Sequence, residues 1–356
     1  MLAPAPIPEF KNKPPEYFKS LADHCAEFKG ADTKRSIAQM SMTLALFAAA
    51  LALLTLSVQT GNWLLYALLL VPTGGLLTRI FIFQHDCGHG SYFKTRKAND
   101  MVGRALSVLT WTPYSFWRRT HNLHHASSGN LDKRGYGGIE TLTVKEFKAF
   151  SPAKQRFYRL YRNALLLLGL GTPFFVIVMQ RFVVTEPFLP EIAPKANMKN
   201  VWQSIHGLNL ALLLVYGLAG FMLGFTTLAL VYLPVVIITS WIGGWLFYIQ
   251  HQFENTHWDR QENWSYNEAA LMGSSYYDLP PVIQWFTGNI GLHHIHHLNA
   301  TIPNYKLQAC LDAHPDLKYL NHMGFKDSLK SIKLALWDET KRKLISFKEM
   351  DNPAAA

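Results

Sequence analysis

The segment Gly291–His297, GLHHIHH, places four imidazoles within five residues. Two other segments are nearly as dense: HDCGH at 85–89 and HNLHH at 121–125. Together these windows hold nine of the chain's fifteen histidines. A lone histidine is ordinarily a surface or satisfied core residue, but clusters of this density point to metal ligation, for which neutral imidazole is the commonest side chain. On a helix, residues at i, i+3 and i+4 lie on one side. His121, His124 and His125 can therefore converge, as can His293, His296 and His297, and His85 with His89.

Eight aligned imidazoles are too many for one zinc ion, which takes four ligands in a structural site and three in a catalytic one. Two ions with about four ligands each fit the count better. Imidazole suits Zn, Cu, Fe and Ni alike. The surroundings argue against hydrolytic zinc, because helical two-metal sites commonly recruit carboxylates. Here the only acid inside a cluster is Asp86, which points away from the side shared by His85 and His89 and either orients a ligand or is solvated. A polynuclear, all-nitrogen site at the mouth of a membrane hairpin suits activation of O₂ for attack on lipid. No catalytic side chain beyond the metal ligands, and no binding residue for an organic cofactor, is assigned.

The elements that must position these residues are read from the charges. Of 356 residues only 16% are charged, and residues 36–78 and 200–253 contain no Lys, Arg, Asp or Glu. A helix needs about 20 apolar residues to cross a hydrocarbon core about 30 Å thick, so each tract can cross twice. The turns are expected at Gln59–Asn62 and within Gly217–Thr227. None of the 34 basic residues falls in either turn. By the positive-inside rule both termini and all three histidine clusters then lie on the cytoplasmic side. A third apolar stretch, Asn163–Gln180, contains Gly169, Gly171 and Pro173 and is flanked by Arg162 and Arg181. It reads as interfacial or re-entrant.

The expected fold class is an all-α integral membrane protein with about four transmembrane helices in two hairpins and a cytoplasmic helical cap carrying the histidine-rich site. Residues 1–35 form a cytoplasmic N-terminal segment, 36–305 the membrane domain and 306–356 a cytoplasmic tail. The first 35 residues are polar with six Lys or Arg, which predicts no cleavable leader. Cys25, Cys87 and Cys310 show no paired spacing and read as free thiols. A pI near 9.4 is expected from the cytoplasmic side of a membrane protein rather than from a nucleic-acid groove.

From about Ile37 to Tyr305 the chain resembles the membrane-bound fatty acid desaturases. The resemblance rests on HDCGHGS at 85–91, WRRTHNLHH at 117–125 and GLHHIHHLNATIPNY at 291–305, in the family's order, with 31 and 167 residues between the boxes. It implies two iron ions on the cytoplasmic side, with O₂ as co-substrate, removing two hydrogens from an unactivated acyl chain. QHQFE at 250–254 resembles the element that carries a further ligand, which makes His251 the ninth, with His257 as its competitor. The metal set is then His85, His89, His121, His124, His125, His251, His293, His296 and His297. An acyl chain is expected in an apolar tunnel, with intact acyl lipid favoured over CoA or carrier-protein esters. No HPGG haem motif occurs, so electrons are expected from a separate ferredoxin or b-type cytochrome.

His294 is expected to sit off the ligand side, supporting a ligand or on the surface, and Asn289 to orient a ligand or cap a helix. Arg118 and Arg119 are read as a lipid-phosphate or electron-donor contact, or as an interfacial basic pair. Trp111, Trp117, Trp241 and Trp245 are read as interfacial anchors first and tunnel walls second. Lys326–Lys348 is expected to be an amphipathic helix. His24, His206, His314 and His322 are isolated and carry no assignment.

Two alternatives stand beside the desaturase reading. A fatty acyl or carotenoid hydroxylase on the same scaffold shares the first hydrogen abstraction. A membrane metal transporter or haem protein would instead place its ligands near the middle of the spans.

Overall fold

The structure is a computed structural model that describes residue 10 and residues 13–134, 138–182 and 198–352, with side chains from 201 onward in the last segment. The outermost parts of the expected N-terminal segment and tail lie outside the described residues.

Helix α1 (Pro15–Ala26) buries Phe18, Leu21 and Cys25. The first charge-free tract forms α2 (Thr33–Gln59) and α3 (Trp63–His89). They are joined by the expected turn, with Gly61 at φ 69°. Asp32 and Asn62 cap the two helices by accepting from the backbone N–H of Arg35 and Leu65. Gly90, at φ 76°, ends α3. Two amphipathic helices follow, α4 (Arg96–Thr110) and α5 (Tyr114–Ser127). After β1 (Leu142–Thr143) come α6 (Val144–Ala149) and α7 (Pro152–Tyr161).

The third apolar stretch is no straight span. A π-helical segment, Leu165–Gly171, runs into α8 (Thr172–Ile177) and a 3₁₀ turn, and the whole is bent by 61° against α7. The second charge-free tract forms α9 (Met198–Leu223) and α10 (Phe225–His251), which turn at Gly224 with φ 85°. Four helices, α2, α3, α9 and α10, are therefore long and apolar enough to cross a membrane, or five if the bent pair counts as one span.

Helices α3 and α10 have 27 residues each, about 40 Å against a hydrocarbon core of about 30 Å. Each has more than a turn to spare. His85 and His89 close α3, and His251 is the last residue of α10.

The rest of the cap comprises α11 (Tyr266–Met272), β2 (Tyr276–Tyr277), α12 (Pro281–Phe286), α13 (His293–Leu298), α14 (Asn304–Asp312) and β3 (His322–Met323). Strand β2 pairs parallel to β3. Leu271, Ile295, Leu307 and Leu317 form one core with α1. Within it the Sγ atoms of Cys25 and Cys310 lie 3.5 Å apart, although the two thiols are far apart in sequence.

The single amphipathic helix expected over 326–348 does not form. The short helix α15 (Phe325–Ser331) is followed by the hairpin β4 (Leu334–Asp338) and β5 (Lys343–Ser346) and then by α16 (Phe347–Asp351). Strand β1 pairs parallel to β4, with Leu142 opposite Leu336. Both sides of the hairpin are covered: Leu336 and Ile345 join Phe147 and Tyr158, while Trp337 and Leu344 join Leu131. Partners this distant in sequence are invisible to a local periodicity, and their packing outweighs helix propensity.

Candidate metal centre

Nine imidazoles meet where α3 and α10 end. They form two adjacent groups: His85, His89, His121, His125 and His296, then His124, His251, His293 and His297. Within each group the candidate ligand atoms lie within 4.8 Å of one another. These are the nine residues expected from the sequence, but their distribution differs from a box-by-box reading. The i, i+4 pairs stay together, whereas His124 and His296, at i+3, each cross to the other group. One residue is 100° of helix, so His124 and His125 look toward different neighbours.

The nitrogens point at one another. In the second group the Nε2 of His251 lies 3.0 Å from the Nε2 of both His124 and His293. In the first, the Nε2 of His125 lies 3.1 Å from the Nε2 of both His121 and His296. His251 Nδ1–H donates to the Gly273 carbonyl at 3.0 Å, so its Nε2 carries only a lone pair. His89 Nε2 and both ring nitrogens of His297 are buried without a hydrogen-bond partner among the described residues. Leaving such groups unmet costs about 1–3 kcal/mol each. Inward lone pairs from an all-nitrogen donor set fit metal ions, and the cluster can bind metal.

Electrostatics agree. Burial foremost, and neighbouring imidazoles second, hold His121, His124, His125, His293, His296 and His297 well below the ordinary histidine value. Neutral rings are the form that ligates metal.

Supporting contacts fix the rings. His85 Nδ1–H donates to Asp86 Oδ1 at 3.1 Å. Asp86 is buried, so solvation is not its role. Its Oδ2 accepts from both the backbone and side-chain nitrogens of Asn304 at 2.8 Å. Asn289 Nδ2 donates in turn to the Asn304 carbonyl at 3.2 Å. This chain ties the end of α3 to the start of α14. Asn304 carries no signal of its own within NATIPNY; only the fold brings it to Asp86.

Trp117 packs against the site. Its indole stacks on His121, with centroids 4.5 Å apart at 19°, and lies 5.5 Å from His85. Gly88 makes room, since a Cβ there would sit 2.8 Å from the indole. Trp241, by contrast, is half-exposed and donates to the Gly169 carbonyl at 2.8 Å.

His257 belongs to neither group; it is buried with its Nδ1 3.9 Å from Glu268. His294 is fully buried rather than on the surface, donates to the Leu317 carbonyl at 2.9 Å and stacks on Tyr276. His206 stacks on Trp202, and His322 pairs with Asp278. A cavity of about 40 Å³ adjoins the second group, with His124, Phe247, His251 and Gly273 in its wall. It has room for a water-sized molecule.

The sequence model of the family described as "Fatty acid desaturase" matches residues 61–324. A protein named "Fatty acid desaturase" from Bacillus subtilis (strain 168) is 41% identical over 330 residues, 93% of this chain and 91% of the relative. The sn-1 oleoyl-lipid 12-desaturase of Anabaena variabilis is 25% identical over 272 residues, 71% of this chain and 69% of the relative. The chloroplastic sn-2 acyl-lipid omega-3 desaturase (ferredoxin) of Helianthus annuus is 28% identical over 281 residues, 77% of this chain and 61% of the relative. The family match takes in every one of the nine converging histidines, and the chain belongs to the fatty acid desaturase family of oxidoreductases.

Proposed function

We propose that the chain is an O₂-dependent acyl-lipid desaturase with a di-iron centre, held in the membrane by four spans with the histidines and both termini on the cytoplasmic side. The carrying observation is the pair of adjacent all-nitrogen groups at the ends of α3 and α10. Iron ions would be held one by His85, His89, His121, His125 and His296, the other by His124, His251, His293 and His297. When bound they supply the O₂ activation that an alkyl C–H bond requires, which no side-chain acid or base can provide. Residues 36–305 would be the membrane domain, with 1–35 and 306–356 as cytoplasmic flanks.

In the overall reaction –CH₂–CH₂–, O₂, two electrons and two protons give –CH=CH– and two waters. The chain's own contribution is orientation and dryness. Asp86, the Gly273 carbonyl and Trp117 fix ring planes, and burial keeps the imidazoles neutral. The electrons would come from a separate ferredoxin or b-type cytochrome, in keeping with the ferredoxin in the sunflower relative's name.

The test is expression in a host of known fatty-acid profile, with mass spectrometric location of new double bonds and metal analysis of the purified chain. New double bonds with about two irons per chain are expected; His296→Ala should abolish the product while the protein still inserts. A hydroxylated product would favour the hydroxylase alternative, and a chain without iron would sink both.

A further inference from the structure

A cleft of about 950 Å³ lies between α4, α5 and α9. Helix α5 separates it from the histidines: Ser115, Arg118, Arg119 and Asn122 line the cleft, while Trp117, His121, His124 and His125 form the metal-binding side. One helix width, about 10–12 Å, divides the two.

The cleft has a basic end and an apolar wall. Arg104, Arg118 and Arg119 with Gln203 supply the polar end, and Val108, Leu208 and Ala211 continue it along α4 and α9. Asp100 stands beside the cleft but is matched already, by Arg118 at 2.7 Å and Arg96 at 2.9 Å. That leaves Arg104 and Arg119 without a carboxylate among the described residues. Arg119 Nε is buried without a hydrogen-bond partner there, a state shared by the Nε atoms of Arg134, Arg162 and Arg181, but of these four arginines only Arg119 lines the cleft. The walls are fixed, because Ser204 Oγ of α9 accepts from the Phe116 backbone N–H of α5 at 3.1 Å.

We propose that this cleft binds the phosphate headgroup of a glycerophospholipid of the surrounding bilayer through Arg104 and Arg119, with its acyl chains following α9; the proposal rests on the membrane-bound acyl-lipid desaturase reading above. Guanidinium forks match phosphate oxygens in geometry and charge. The order of surfaces is that of an amphiphile standing in a bilayer. The basic end sits beside the first turns of α9, at the same end as the histidines. Farther along, Leu210, Leu213 and Leu214 are 58%, 70% and 63% exposed, as a lipid-facing helix should be. An acidic protein partner would meet a convex charged surface more readily than a cleft that runs into an apolar helix side.

The full chain in detergent would be offered phosphatidylglycerol, a galactolipid with the same acyl chains, or inorganic phosphate, and retained ligand read by native mass spectrometry. Wild type should retain phosphatidylglycerol over galactolipid, and Arg119→Gln and the exposed Arg104→Gln should each cut that retention about tenfold. Galactolipid retention and bound iron should not change, which separates the effect from misfolding. Equal retention of both lipids by wild type, tight retention of inorganic phosphate alone, or variants that keep the lipid but lose response to an acidic electron donor would each overturn the proposal. Product analysis keeps the two readings apart. Headgroup selectivity with a hydroxylated product supports the cleft and sinks the desaturase reading, and double bonds made without headgroup selectivity do the reverse.

Discussion

His125 and His297 stack with ring centroids 4.0 Å apart and planes 13° from parallel, and each belongs to a different nitrogen group. This contact joins the second histidine segment to the third and holds the groups side by side. Two imidazolium rings so close and so buried would repel strongly. The stack therefore requires that at least one ring be neutral, and burial depresses both.

The ninth donor separates His251 from His257. His251→Ala removes a nitrogen 3.0 Å from both His124 and His293 and should cost about one of two bound ions and all product, by the ligand count of a filled site. His257→Ala should keep both ions. Iron quantification of the two variants checks this, and the reverse pattern would reassign the ligand.

Asp86 and Asn304 act through His85. Asp86→Asn or Asn304→Ala should weaken metal binding about 10–100-fold, the usual effect of losing a residue that orients a ligand. Competition against a chelator measures it. Unchanged affinity in both variants would show that His85 needs no such partner.

Gly88 and Trp117 are coupled by space. Gly88→Ala puts a methyl 2.8 Å from the indole, an overpacking worth about 1–3 kcal/mol, and should shift the ring stacked on His121. Turnover should fall about tenfold or more by that energy, with iron retained. The double variant Gly88→Ala/Trp117→Phe should recover part of the loss; no recovery would place the effect elsewhere.

Stability should depend on pH in a defined direction. His121, His124, His125, His293, His296 and His297 are held below the ordinary histidine value mainly by burial, and His294 is pushed down to about 4 by the same cause. Below the unfolded value of about 6.5 the unfolded chain binds more protons than the folded one, so stability falls with acidification and is level above about pH 7. Thermal unfolding of the metal-free protein followed by tryptophan fluorescence reads this. A midpoint unchanged between about pH 7.5 and 5 would contradict the buried neutral rings.

Much of the site was legible in the sequence because its signals are local. Charge-free tracts set the spans, Gln59–Asn62 the first turn and Gly217–Thr227 the window of the second, and i, i+4 spacing the pairs His85/His89, His121/His125 and His293/His297. Asp86 could be singled out but not placed. The donors to its Oδ2 come from Asn304, 218 residues away, and no local pattern reports such a distance. The tail misled for the same reason, since β4 finds its parallel partner at Leu142.

The sequence by itself singled out eight histidines at helical spacing in three segments and set them near the ends of apolar helices, but left His251 and His257 as alternatives for the ninth. Only the tertiary structure decided how the nine divide into five and four. Helical periodicity fixes the direction of a side chain about its own axis. What it meets in that direction depends on how α3, α5, α10 and α13 pack, and that is set by contacts between residues far apart in the chain.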